Sequence, residues 1–588
     1  MISRFTLILA VVLAFAPVAS ATDPAPIIRY NSIHHPIVGE HGMVASQHRL
    51  ASEVGAEILA AGGNAVDAAA AVGFSLAVVL PRAGNLGGGG FMMIHLADNN
   101  KTVAVDYRER APAAAHRDLF LDAEGNVDKA KARFSHAAAG VPGTVAGLLG
   151  AQRKYGKLSI EEILAPAIRQ AEEGFIVTHD LSDKLSNYKH LKKNPATLKA
   201  YYKPNGQAYR AGERLYLKDL AWSLRQILEH GEKGFYEGEV ADKIVAEMEK
   251  HGGLITHQDL ADYHVVERLP VRGSYRGYEI ASMPPPSSGG IHIVQMLNML
   301  EGFPLKELGA GSAQSIHLLT ESMKRAYADR SKYLGDPDYV EIPQQQLIDK
   351  AYAEQLVNDF NLEQTTPSSD ILPGAKIPSE SPDTTHYSIV DADGNAVSNT
   401  YTLNFSFGSG ITVAGTGILL NNEMDDFSSK PGVPNAYGLI GAEANKIEAG
   451  KRPLSSMTPT LVFKDGKPVL VTGSPGGSRI ITTTLQVMVN VLDHGMNVAD
   501  AVSAPRFHHQ WQPDMLFLEL GFSPDTLALL KEKQHQLKTV STMGSAQSIA
   551  IHNGVSYGAA DPRKPDASAV AAAKVVVENQ KPAVEVAQ

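Results

Sequence analysis

The chain has 588 residues, 44% hydrophobic and 20% charged, with a net charge of −10 and a pI near 6.1. This is ordinary globular composition, long enough to bury a large core and, by length alone, to form roughly three or four domains. The acidic balance argues against broad binding to a nucleic-acid backbone, and the absence of cysteine excludes disulfides, thiol catalysis and thiolate metal sites.

Residues 1–21 read as a signal peptide. Arg4 supplies the positive end, Phe5 to Ala16 is apolar, and Ala19-Ser20-Ala21 fits a cleavage site before Thr22. The apolar run is shorter than the ~20 residues of a membrane span. The expectation is a protein exported to a bacterial periplasm, with no membrane anchor once the signal is removed. Arg49 to Leu80 has helical periodicity broken at Gly62-Gly63, and its second part, Ala68 to Leu80, predicts a buried helix. Gly84 to Gly90 is a glycine-dense loop without the Lys-Ser/Thr ending of a phosphate loop, and it feeds a strand at Phe91 to Ile94. Gln152 to Glu249 reads as helices with charged faces. A Pro/Gly loop at Ser282 to Gly290 precedes a helix over Ile291 to Leu300, and Gly335 to Tyr339 reads as a further loop.

Between Thr365 and Asp383 the chain is rich in Pro, Ser, Thr, Glu and Asp and has no periodicity, which predicts an exposed, mobile segment. A hairpin follows: a strand at His386 to Val390, a turn at Asp391 to Asn395, and a returning strand at Ala396 to Leu403. The same turn is a poor calcium loop, because its twelfth position is Thr402 and not Glu. Leu461 to Phe463 and Val469 to Thr472 predict strands, Ile480 to Val491 a helix, and about 567–588 a disordered tail. Helical blocks around strand hairpins imply packed helix and sheet layers.

The chemistry narrows by exclusion. His34-His35 and His508-His509 are adjacent pairs whose side chains diverge, and His-Glu-x-x-His is absent, so no metal is expected. Neither Pro286-Ser287-Ser288-Gly289-Gly290 nor Gly473-Ser474-Pro475-Gly476-Gly477 has the Gly-x-Ser-x-Gly spacing of a nucleophile elbow. Threonine remains. At a chain terminus a threonine gains its own α-amine as base, titrating at about 7.7–8.0. Thr384, which opens a strand after a flexible segment ending at Asp383, is the candidate, although a Thr-Thr pair is also an ordinary strand start.

Several segments resemble the γ-glutamyltransferase family in order along the chain. They are Asp106-Tyr107-Arg108-Glu109, Pro142-Gly143-Thr144, Thr384-Thr385-His386-Tyr387-Ser388, Thr402-Leu403-Asn404, Asn421 to Phe427, Arg452 to Met457, and Gly473 to Ser478. The resemblance implies an α+β fold, the four-layer αββα sandwich of N-terminal-nucleophile hydrolases. It implies a precursor cut between Asp383 and Thr384, with residues 22–383 and 384–588 forming a heterodimer that makes one αββα unit. It further implies that Thr384 is the nucleophile and that Thr402 supports it by a hydrogen bond. The backbone amides of Gly476 and Gly477 would form an oxyanion hole. Arg108, Ser455 and Ser456 would bind the substrate α-carboxylate, and Asn404, Glu423 and Asp426 its α-amine. Position 423 is Glu where some bacterial members have Gln. Pro431 to Gly441, with Tyr437, would be a lid. The implied substrates are glutathione and other γ-glutamyl compounds, with amino acids, dipeptides or water as acceptors and no cofactor. A β-lactam (glutaryl-cephalosporin) acylase of the same fold and a non-enzymatic periplasmic amino-acid-binding protein are the alternatives.

Overall fold

Residues 32–371, 384–430 and 442–574 are described by the structure, a computed structural model. The hairpin expected after position 384 lies at its centre. Strands Thr385–Asp391 and Ala396–Thr402 pair antiparallel, with Thr385 opposite Tyr401 and Val390 opposite Ala396. Asp391 closes the turn: its Oδ1 accepts the N–H of Asp393 at 3.0 Å and of Asn395 at 2.9 Å, the usual way an Asp side chain stabilises a tight turn.

The hairpin occupies the middle of a seven-stranded antiparallel sheet. Its order is Ser568–Ala571, Gly42–Ser46, Thr385–Asp391, Ala396–Thr402, Gly89–Leu96, Lys101–Tyr107 and Val266–Arg268. A second seven-stranded sheet runs Ile37–Gly39, Val555–Ala560, Gln547–His552, Lys467–Thr472, Thr460–Lys464, Tyr278–Ser282 and Val271–Tyr275. The two sheets face each other through Phe91, Met93, Val390 and Ala396 on one side and Ala281, Leu461, Val471 and Ile549 on the other.

Helices cover both outer faces. Ala65–Val79 and Thr144–Tyr155 pack on Ile94, Ile389 and Val397 of the first sheet. Gly289–Leu300, Ala313–Tyr333 and Arg479–Leu492 pack on Ile280, Val462 and Leu470 of the second. The layers are therefore helix, sheet, sheet, helix, as expected. With both faces covered, every residue of both hairpin strands is buried, and the apolar/polar alternation of a half-exposed strand is lost. Ala65–Val79 is buried along its whole length. Among the described residues, no helix is long and apolar enough to cross a membrane.

The glycine-dense loop has a steric role. A Cβ on Gly88 would stand 2.0 Å from the Thr402 carbonyl oxygen, and one on Gly87 would stand 2.2 Å from that of Leu419. Only glycines let this backbone pass so close to the open end of the hairpin.

Two expectations are corrected. The expected tail includes a strand, Ser568–Ala571, with Val570 opposite Val44; a short Ala/Val run suffices where an edge strand offers free backbone partners. Residues 365–371 are anchored and not exposed throughout. Ser368 is buried, and the Trp511 indole N–H bonds the carbonyls of Ser368 and Ile371 at 3.0 and 3.1 Å. The signal sequence, Asp383, and the expected lid with Tyr437 lie outside the described residues.

Candidate active site

The hairpin register, with Thr385 opposite Tyr401, brings the neighbouring residues 384 and 402 together. Thr384 is buried, and its Oγ1 lies 3.3 Å from Thr402 Oγ1. Thr402 Oγ1 also accepts the Asn404 N–H at 2.8 Å, which fixes the hydroxyl's position. Asn404 has φ +73°, a left-handed conformation that Asn tolerates better than most residues. The bend carries its side chain to the Asn422 carbonyl, which accepts from Nδ2 at 2.9 Å. Asn421 pins the next turn, accepting the N–H groups of Gly140 at 2.9 Å and Glu423 at 3.0 Å. The short 3₁₀ turn Glu423–Asp426 is thereby held against the hairpin's open end.

One small cleft is lined by Arg108, Arg330, Thr384, Thr402, Asn404, Glu423, Asp426, Ser455, Ser456 and Gly477. Of the expected site residues that the structure describes, all are gathered here except Gly476, which adjoins Gly477 but does not line the cleft; Asp383 and Tyr437 lie outside the described residues. Both glycines have positive φ, +135° and +57°. They turn the chain into the helix Arg479–Leu492, whose N-terminus carries unsatisfied N–H groups and a partial positive charge.

The charges of the cleft centre on Arg108, with Arg330 as a second cation that interacts with Asp426. Arg108 donates to Glu423 and, at 2.6 Å, to Asp426 Oδ2; its Nε bonds the Pro453 carbonyl at 3.2 Å, and Glu109 lies 3.5 Å from Nη1. Burial opposes the guanidinium charge, but Glu423, Glu109 and Asp426 outweigh it and hold its pKa above the ordinary value. Arg108, the cation bonded to Glu423 and Asp426, does not by itself balance three carboxylates. Burial accordingly raises Glu109 to about 7 against the pull of Arg108, and raises Glu423 well above the usual carboxylate range, with Glu109 and Asp426 adding to the rise. Among the described residues, Glu109 Oε1 and Glu423 Oε2 are buried without a hydrogen-bond partner. Arg108 and Asp426 thus offer a bound α-amino acid a cation for its carboxylate and a carboxylate for its ammonium, with the Glu423 carboxyl oxygens beside them.

His386 lies elsewhere. Its Nδ1 is 2.8 Å from Thr400 Oγ1 and its Nε2 is 3.1 Å from Ser388 Oγ. It packs beneath Gly473, where a Cβ would stand 2.4 Å from its ring. Burial lowers its pKa to about 3.

Residues 51–571 match the family model described as Gamma-glutamyltranspeptidase. The chain belongs to the gamma-glutamyltranspeptidase family. It is 54% identical over 553 residues to the glutathione hydrolase proenzyme of Escherichia coli (strain K12), which covers 93% of this chain and 95% of the relative. Among solved structures it resembles Helicobacter pylori gamma-glutamyltranspeptidase, with TM-score 0.55 and 48% identity over 56% of this chain and 94% of that one. It also resembles the cephalosporin acylase of Bacillus halodurans, with TM-score 0.81 and 29% identity over 94% of this chain and 99% of that one. The acylase shares the architecture at lower identity, so the acylase reading is the more distant one, and membership of an enzyme family displaces the binding-protein reading.

Two charged residues have no role in the sequence reading: Arg330, which lines the cleft, and Glu109, which lies beside it against Arg108. Arg330 comes from the last turn of the helix Ala313–Tyr333, is buried, and donates to Ser288 Oγ at 3.0 Å and Ser456 Oγ at 3.2 Å; burial lowers its pKa to about 10. In sequence it stands in a helix with Lys324 and Arg325 nearby, and nothing local separates it from a surface cation. Glu109 is part of a motif quoted above, but its neighbour Arg108 draws the functional reading, and only the fold reveals that it lies beside Glu423.

Proposed function

We propose that the chain is an exported proenzyme that cuts itself before Thr384 and then cleaves the γ-glutamyl bond of glutathione and related compounds, passing the γ-glutamyl group to water, an amino acid or a dipeptide. The observation that carries this reading is that Thr384 Oγ1 opens into the same cleft as Arg108, Glu423 and Asp426. A γ-glutamyl group fits that arrangement. Its α-carboxylate takes Arg108, Ser455 and Ser456, its α-ammonium takes Glu423, Asp426 and Asn404, and the side-chain carbonyl is left toward Thr384.

In the reaction the Thr384 α-amine accepts the hydroxyl proton as Oγ1 attacks the γ-carbonyl. The Gly476 and Gly477 N–H groups stabilise the oxyanion, helped by the helix that starts after them. The C–N bond breaks, the leaving amine takes the proton, and a γ-glutamyl ester remains on Thr384. Water or an acceptor amine then attacks the ester, loses its proton to the Thr384 amine, and frees the hydroxyl. The test is turnover of a γ-glutamyl anilide and of glutathione by wild type and Thr384→Ala. Wild type releases the aniline and runs as two fragments on a denaturing gel. Thr384→Ala is expected to remain one chain without turnover; retained turnover in that variant contradicts the assignment.

A further inference from the structure

Away from the cleft, a second cluster of chemistry-bearing side chains lies where the helix Gly238–His251 ends. Glu247 and His251 are four residues apart and share one helix face. His136, from the 3₁₀ turn His136–Ala138, faces both. His136 Nε2 is 3.0 Å from Glu247 Oε1, His251 Nε2 is 3.7 Å from the same oxygen, and the three donor atoms lie within 4.8 Å of one another. The two imidazoles are stacked, with centroids 4.7 Å apart and planes 16° from parallel, so one ring turns about its side-chain torsions for both nitrogens to face a single ion.

We propose that His136, Glu247 and His251 bind a divalent transition-metal ion of the zinc class. Zinc bonds of about 2.0–2.2 Å in tetrahedral geometry set neighbouring donor atoms roughly 3.3–3.5 Å apart, between the two distances found here. Two imidazoles and one carboxylate, with a position left for water, suit Zn²⁺, Co²⁺ or Ni²⁺; Ca²⁺ and Mg²⁺ require more oxygen ligands. Lys193 and Lys250 line the same recess, of about 540 Å³. Their charge disfavours a loosely held cation and leaves inner-sphere bonds as the means of retention. The helix C-terminus adds partial negative charge at the site. The backbone shapes it as well: Gly252, at φ +72°, ends the helix, and a Cβ on Gly253 would stand 3.1 Å from His136 Cβ. The His251 side chain is 41% exposed, so an ion reaches the site from solvent. The segment leading into His136 also carries Arg133, which bonds Asp425 Oδ1 at 3.3 Å and whose carbonyl accepts from Asn422 Nδ2 at 3.1 Å. A bound ion would therefore tie the helix to the strut beside Glu423 and Asp426.

The experiment titrates chelator-treated mature protein with Zn²⁺ against a chromophoric competitor, and with Co²⁺ while recording the visible d–d band. Wild type is expected to bind one more equivalent than His136→Ala/His251→Ala, and Glu247→Gln to bind that equivalent at least tenfold more weakly. Self-cleavage and turnover of each variant report folding. If the double variant does not fold, His251→Ala alone is expected to lose the d–d band. Equal stoichiometry and affinity in wild type and variants, or no d–d band in wild type, overturns the proposal.

Discussion

Thr384 and Thr402 hold their hydroxyl oxygens 3.3 Å apart at the open end of one hairpin. The register makes this pairing a property of the sheet, while the Asn404 N–H fixes the Thr402 oxygen from behind. Thr402→Val keeps the shape and β-branching but removes the hydroxyl. It is expected to lower kcat about a hundredfold with little change in KM, and to slow self-cleavage. Steady-state kinetics on a γ-glutamyl anilide check this, and a kcat within twofold of wild type contradicts it.

Arg108 is buried and donates to both Glu423 and Asp426. Lysine keeps the charge but cannot present two parallel donors. Losing two charge-assisted hydrogen bonds costs about 3 kcal/mol, or roughly a hundredfold in kcat/KM. Arg108→Lys is expected to show that loss mainly in KM while still cutting itself. Wild-type kcat/KM would remove Arg108 from substrate binding.

The hairpin was legible because its signals are local: Asp-x-Asp-Gly-Asn between two β-prone runs needs no partner to be read. The buried helix Ala65–Val79 was legible from its apolar composition and the Pro81 beyond it. The strand Ser568–Ala571 was not, since a short Ala/Val segment becomes a strand only through the edge offered by Gly42–Ser46. The hold on residues 365–371 was equally hidden, because the Trp511 donor is far along the chain. Within the cleft, residues inside recognisable motifs were found. Arg330 was missed because its role depends on a helix that arrives from the opposite layer.

Glu109 gives a signature in stability. Its pKa is about 7 in the folded protein against an ordinary 4.5, raised by burial. Below pH 4.5 the group is protonated in both states. As pH rises, the unfolded chain ionises first, so stability is lost progressively until pH passes about 7. Glu109→Gln removes this contribution and is expected to narrow the Tm difference between pH 5 and pH 8, chiefly by raising Tm at pH 8. Glu423 is shifted in the same direction, so the narrowing is partial. Thermal melts at the two pH values decide; an unchanged difference contradicts the pairing of these carboxylates.

kcat/KM is expected to rise with pH, in a limb set by the Thr384 amine losing its proton. A histidine at 386 held near 3 by burial does not titrate in the neutral range, whereas a free α-amine does. His386→Asn is expected to leave the limb in place. A variant that cuts itself normally but loses the limb would transfer the base to the imidazole.

The central claim is that Thr384 carries the γ-glutamyl group. Mature protein mixed with a γ-glutamyl anilide, quenched in acid and examined by intact and fragment mass spectrometry tests it directly. The expected result is a small fragment beginning Thr-Thr-His-Tyr that carries one γ-glutamyl group, esterified on Thr384. An uncut chain, or an adduct on any other residue, contradicts it.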